Sequence, residues 1–363
     1  MSDEQDPFSG SDFGPVLIIG AGLVGASVGC ALTEAGIEVH LRDQVPSHAR
    51  VAAGRGAGSV EPIDPEAVAL VVVAVPPRVL APVVSAALDE FANAVVTDVG
   101  SVKGSVLRDL AARGLELRRY VGSHPMAGSH LAGPVTARPD LFTDRTWVIA
   151  PHATATPGAI ETVTRLATIS GANPVVMDAE EHDLAVAAVS HLPHAVSAML
   201  AAGLTETKPA HLQLAGQGVR DVTRIAAGDP DLWDQILTAN APAVADQLAA
   251  LSIRLGELAE RLAEQRPVDD LLATGVAGTR AIPGKHGRAQ TEYARMIIEI
   301  PDAPGSLARF FTDAGAAGVN VEDISIEHDP VREVGWLQVS VRPELAPDFS
   351  AAMSDRGWHL HEG

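Results

Sequence analysis

The sequence predicts an α/β chain in three parts: a parallel sheet with helices on both faces, an all-helical segment, and a small α+β module. Three observations lead there. Short apolar runs alternate with helix-like stretches as far as residue 178. From Ala179 the texture turns rich in Ala, Leu and Gln with helical periodicity, and strand-like alternation returns at Tyr293.

Taken in order, residues 1–14 are acidic and polar, expected to be a disordered N-terminus without the basic, apolar pattern of a leader. Val16–Ile19 is an apolar run stopped by glycines, the pattern of a buried parallel strand. A helix is expected over Ala26–Ala35, then strands at Glu38–Leu41, Ala69–Val75, Ala94–Thr97, Tyr120–Val121, Trp147–Ala150 and Pro174–Met177. Residues 15–178 thus form the first domain. Residues 179–265 read as a helical substrate and dimerisation domain, because such helices cannot bury every apolar face alone. Asp229-Pro230 marks one helix start there. Residues 266–292, with proline, four glycines and mixed charge, read as a linker or extended arm. Residues 293–363 show the order β-α-β-β, a module near the lower size limit for independent folding.

Composition narrows the function. The 363 residues carry 46 acids against 26 bases, a formal charge of −20, which argues against a nucleic-acid groove or an anionic membrane surface as partner. A small anionic ligand held by a few arginines remains compatible. Cys30 is the only cysteine, so neither a disulfide framework nor a cysteine metal site is available. The apolar runs fall short of the roughly 18 residues of a membrane span, and a cytoplasmic location is expected.

Gly20-Ala-Gly22-Leu23-Val24-Gly25 fits G-x-G-x-x-G with a strand before it and a helix after it. The first glycine makes the turn, the second lets backbone approach a pyrophosphate, and the third permits close helix-to-strand packing. Asp43, at the end of the second strand, stands where an acid takes a ribose hydroxyl. Its charge favours NAD; Arg42, His48 and Arg50 nearby keep NADP as the alternative. Val75-Pro76 ends a buried strand at the edge where such sheets receive ligand. Four further segments carry candidate chemistry: Thr97–Lys103 with Ser101, Gly122–Gly128 with His124, Ser190–His194 with His191 and His194, and Gln217–Ile225 with Arg220 and Arg224. The duller readings are a turn histidine, a helix-packing histidine pair, and arginines paired with Asp221 and Asp229. A metal site at the two histidines lacks a third ligand at suitable spacing.

These segments occur in the order found in prephenate and arogenate dehydrogenases, which the chain resembles from Val16 to about Leu345. The shared motifs are GAGLVG, VAVPP, TDVGSVKG, SHPMAGS, DLF with TWVI, SHLPH, and RDVTRIA with DP and LW. The tail, EIPDAPGSLARFF and GVNVEDISI, resembles an ACT domain, an amino-acid-sensing module with a ferredoxin-like fold. The resemblance implies a Rossmann-type dinucleotide-binding domain and NAD-dependent oxidative decarboxylation of prephenate to 4-hydroxyphenylpyruvate. Arogenate or 4-amino-4-deoxyprephenate are the alternative substrates, and a non-enzymatic nucleotide-sensing regulator is the remote rival. It implies His124 as base for the ring hydroxyl, Ser101 as its orienting partner and Arg224 as carboxylate clamp. His194, His191 and Ser129 would stand at the substrate. The chain departs from the family pattern at Ser129-His130, where an acid is usual after a hydroxyl residue; a His130→Glu exchange would test the effect on keto versus amino substrates. In the tail, Asp302, Gly305 and Asn320 occupy the positions where such modules hold an effector, here expected to be tyrosine. A homodimer is expected.

Overall fold

The computed structural model describes residues 13–128, 133–282, 293–321, 323–329 and 334–362. They fall into two compact units, up to Arg266 and from Pro267 onward. The expected loose N-terminus lies outside the described residues as far as residue 12, but Phe13 is already core, 3% exposed.

In the first unit, β1 (Val16–Ile19) leads into α1 (Leu23–Glu34), β2 (Val39–Arg42) into α2 (Pro46–Gly54), and β3 (Leu70–Val73) into α3 (Pro77–Glu90). β4 (Val95–Asp98) leads into α4 (Gly104–Ala112). Then follow β5 (Tyr120–Pro125), β6 (Thr146–Ala150), α5 (Pro157–Ile169) and β7 (Asn173–Val176). The seven strands lie in the order β2-β1-β3-β4-β5-β6-β7. Successive side chains of a strand point to opposite faces, and both faces here are covered. Val16, Ile18, Leu70 and Val72 pack with α1 and α5, while Leu17, Val71, Val73 and Val96 pack with α3 and α4. β2 and β3 flank β1 on opposite sides, so the crevice for a ligand opens at the carboxyl ends of β1 and β3.

The sheet is not parallel throughout, as the sequence suggested. β6 runs antiparallel to β5, pairing His124 with Val148. The described part of the chain between them holds two short 3-10 turns, Pro134–Thr136 and Pro139–Phe142, and no crossover helix. A helical crossover is what a parallel neighbour would require.

The helical part contains α6 (Ala179–Val186), a π turn (Ala187–His191), α7 (Leu192–Leu204), α8 (Pro209–Leu212) and α9 (Gln217–Thr223). A 3-10 turn (Arg224–Ala227), α10 (Pro230–Ala239) and α11 (Ala241–Ala263) complete it. Asp178 and Asp229 cap α6 and α10, each accepting two backbone N–H bonds. The π turn has a local cause: Pro193 lacks an N–H and its ring crowds the carbonyl one turn back, so the preceding turn widens. The continuous run Ala179–Leu204 is long and apolar enough by composition to span a bilayer. It nevertheless buries His182, Asp183, His191 and His194. Met199, Ile253 and Leu262 stand more than half exposed.

The second unit begins with α12 (Asp269–Arg280), which corrects the reading of residues 266–292 as an extended arm; residues 283–292 lie outside the described residues. Asp269 and Asp270 favour the helix's positive N-terminal end and override the breaker signal of Gly275 and Gly278. There follow β8 (Ala294–Pro301), α13 (Ser306–Ala316), β9 (Asp323–Asp329), β10 (Val334–Val341), α14 (Ala346–Asp355) and β11 (His359–Glu362). The sheet is antiparallel with order β11-β8-β10-β9. This β-α-β-β-α-β module extends the expected β-α-β-β by one helix and one strand, which bury Phe349, Met353 and Trp358 against its core.

Candidate active site

The glycine loop divides its labour as its spacing suggests. Gly20 has φ +104°, and a Cβ there would lie 2.2 Å from the Ala74 carbonyl oxygen. A Cβ on Gly25 would lie 2.0 Å from the Gly20 oxygen and 2.9 Å from the Ala74 Cβ, so α1 can seat only on a glycine. Around Gly22 there is open space. It is the N-cap of α1 with no side chain capping it and no acid in the first turn, so the N–H groups there remain available to an anion. Leu23 and Val24 open the helix. Asp43 accepts the N–H of Ala21 at 2.7 Å through Oδ2 and that of Val45 at 2.7 Å through Oδ1, which fixes it beside the loop. Arg42 is drawn away by a bidentate pair with Glu90 (2.8 and 2.9 Å) and lies over the Phe91 ring. These residues fit a dinucleotide at the β1–β3 crevice, with Val75 half-buried and Pro76 exposed after β3. Gly22→Ala is expected to leave the melting temperature nearly unchanged, since the space is open, while weakening NAD binding roughly tenfold in a fluorescence titration.

At the ends of β4 and β5 lies a buried polar cluster that the sequence did not announce. Asp98 is fully buried and takes the Lys103 ammonium, the Tyr120 hydroxyl at 2.7 Å and the Gly100 N–H at 2.8 Å. Burial pushes the Lys103 pKa down against the pull of Asp98, and pushes the Tyr120 phenol well up. Ser123 donates to the Asp98 carbonyl at 2.8 Å. The cluster fixes the loop that carries Ser101, which is half-buried and makes no hydrogen bond among the described residues.

His124 sits on β5, two residues beyond the last pairing with β4, rather than on the loop after it. Its Nδ1 lies 2.9 Å from Nε2 of His182, whose Nδ1 lies 2.8 Å from Oδ1 of Asp183. Asp183 in turn accepts the backbone N–H groups of Lys103 (2.9 Å) and Gly104 (2.8 Å) at the start of α4. Burial lowers the His124 pKa well below the ordinary value, helped by His182, Lys103 and His191, so the ring is neutral at pH 7. Burial works to raise the Asp183 pKa, but its hydrogen bonds from His182 and the two amides prevail and hold it low. His182 and Asp183 escaped the sequence reading because they are adjacent residues inside an ordinary short helix, with no spacing signature.

The remaining candidates divide. His191 is buried, faces Asn240 Nδ2 at 3.1 Å and packs edge-on to Trp233; burial lowers its pKa to about 4. This is the packing role its sequence context allowed. His194 stacks on Trp233 with ring centroids 3.5 Å apart, and burial lowers its pKa. Gly228 makes room for that stack, since a Cβ there would lie 2.5 Å from the Trp233 Nε1. Arg220 and Arg224 are exposed, and the pairs with Asp221 and Asp229 that were the duller reading do not form: Asp221 accepts from Gln217, and Asp229 caps α10. Ser129 and His130 lie outside the described residues. No group of metal-ligating side chains occurs among the described residues.

In the second unit, a cavity of about 370 Å³ is lined by Asp302, Gly305, Ser306, Leu307, Ile326 and Gly335, among others. Asp302 and Gly305 thus come together as expected, Gly305 with φ +90° at the start of α13. Asn320 is not among the described lining residues.

Comparison with known proteins gives two family matches: the nucleotide-binding domain of prephenate dehydrogenase over residues 28–176, and its dimerization domain over residues 178–274. A Streptomyces niveus protein named "Probable prephenate dehydrogenase NovF" is 35% identical, over 94% of this chain and 98% of its own. A 4-amino-4-deoxyprephenate dehydrogenase of Streptomyces pristinaespiralis is 32% identical, over 77% of this chain and 94% of its own. Among solved structures, prephenate dehydrogenase from A. aeolicus in complex with hydroxyphenyl propionate and NAD+ superposes with a TM-score of 0.64. It is 27% identical, over 73% of this chain and 95% of that one.

Proposed function

The chain belongs to the prephenate dehydrogenase family and is an NAD-dependent dehydrogenase, and we propose that it converts prephenate to 4-hydroxyphenylpyruvate and CO2 with His124 as its base. The observation that carries the assignment is a neutral, half-buried imidazole at the ligand edge of the sheet, in a hydrogen-bonded chain ending on a carboxylate. Bound at the glycine loop, NAD supplies the hydride acceptor. As C4 of the ring loses hydride, its hydroxyl oxygen gains carbonyl character and His124 takes the hydroxyl proton. The bond from C1 to its carboxylate then breaks, CO2 leaves, the electron pair closes the aromatic ring, and His124 returns the proton to the phenolate oxygen. No net proton is consumed. Ser101 orients the hydroxyl, Arg224 clamps a substrate carboxylate as a guanidinium fork does well, and His194 stands on Trp233 at the side-chain end. Val75 and Pro76 stand beside the cofactor.

The reading goes with a cytoplasmic homodimer formed through residues 178–274, whose exposed Met199, Ile253 and Leu262 would be covered. The second unit is read as an ACT domain, its cavity holding tyrosine with Asp302 at the amino group. Equilibrium dialysis should show tyrosine binding to the full chain and a loss of at least tenfold in Asp302→Ala; equal binding in both would remove the site. The experiment for the main reading is a matrix of initial rates, prephenate, arogenate and 4-amino-4-deoxyprephenate against NAD and NADP. Prephenate with NAD is expected to lead. A lead for 4-amino-4-deoxyprephenate would move the chain toward its 32% identical relative.

A further inference from the structure

We propose that His182 and Asp183 are positioning residues for His124: they fix it as the tautomer with its proton on Nδ1 and take up the charge it gains during turnover. The proposal rests on the reading of His124 as base, and its geometry stands independently. Asp183 already accepts two backbone N–H groups, and as a carboxylate it can only accept from His182 Nδ1 at 2.8 Å. That places the His182 proton on Nδ1 and leaves Nε2 as an acceptor. The 2.9 Å contact then requires a proton on His124 Nδ1, so the lone pair of His124 lies on Nε2. When Nε2 receives the hydroxyl proton, the Nδ1 proton can pass to His182 Nε2. The positive charge then sits on the ring that touches Asp183. Both steps reverse when the phenolate is reprotonated, and no other reactant is needed.

The surrounding groups leave Asp183 as the counter-charge. Lys103, on the start of α4, and His191, at the end of the π turn, both oppose a positive charge at His124. Asp98, the other buried acid, is engaged by Lys103 and Tyr120. His182 is wholly buried between these elements.

Two variants separate tautomer control from charge transfer. In His182→Gln the amide oxygen can still accept from His124 Nδ1 but carries no proton onward; kcat should fall about 10–100-fold with KM little changed. In His182→Leu both functions go, and kcat should fall at least about 1000-fold. In His182→Gln the acid limb of kcat/KM should also move, because the group facing His124 Nδ1 can no longer carry a proton onward to a carboxylate. A purely structural residue would leave that limb in place. Long-range 1H–15N NMR of the full chain without substrate should show His124 protonated on Nδ1, independently of catalysis and of whether the variants fold. An Nε2–H tautomer for His124, or wild-type kcat and pH profile in both variants, would overturn the proposal. Absence of prephenate turnover in the wild type would instead remove the functional reading, with the tautomer measurement still deciding the geometry.

Discussion

His124→Asn is expected to lower kcat for prephenate about 10³-fold or more, within the range by which a positioned base accelerates proton transfer. Asparagine keeps a polar group near the position of Nδ1 and can still meet His182, so the chain should fold and bind NAD with unchanged affinity. What it lacks is a lone pair at the Nε2 position. The same imidazole sets the pH dependence. Burial holds the folded His124 pKa well below 6.5, so the neutral, competent ring persists at and above neutrality. Activity is then lost only as pH falls through that lowered value, with the acid limb of kcat/KM well below 6.5. An acid limb at or above 6.5, or turnover within tenfold of wild type in His124→Asn, would remove His124 from the base role.

Lys103→Met is expected to lower the unfolding free energy by about 3–5 kcal/mol, the cost of leaving one partner of a buried ion pair uncompensated. Asp98 has no solvent exposure to fall back on, and its bonds from Tyr120 and Gly100 do not replace a cation. The double variant Asp98→Asn/Lys103→Met should recover much of the loss, because a neutral pair of similar volume is far cheaper to bury. Urea melts of the three proteins test this. If the double variant is as unstable as the single one, the cluster matters through packing rather than charge. The cluster's shape explains a glycine that the sequence left unremarked. A Cβ on Gly122 would lie 3.1 Å from the Lys103 Cδ and 3.2 Å from the Tyr120 hydroxyl, so β5 passes over the lysine only there.

Much of this was legible before any coordinates, for identifiable reasons. Every strand of the first sheet was anticipated within a few residues, because short apolar runs between glycines and prolines have few other solutions. The glycine loop was readable to the role of each residue, since its constraints are backbone constraints set by spacing. The direction of β6 was not, because antiparallel and parallel strands carry the same apolar signature and only the connection distinguishes them. Likewise α12 was hidden by Gly275 and Gly278, whose propensity cost is about 1 kcal/mol each and is overridden by context. His124 and Ser101 owed their candidacy to motif order, while His182 and Asp183 had none. Their meaning comes from a helix packing against a distant strand, a fact absent from local sequence.

Asp183 belongs to α6, yet both its oxygens are claimed by backbone amides at the start of α4. The two segments matched separately to the family are therefore tied together at this carboxylate, as they are where Gln235 accepts the Arg78 N–H. A nucleotide-binding half severed near residue 177 would keep its glycine loop but lose the lever that aims its histidine. Grafting the nucleotide-binding half onto a foreign helical partner should thus preserve cofactor capture while silencing chemistry.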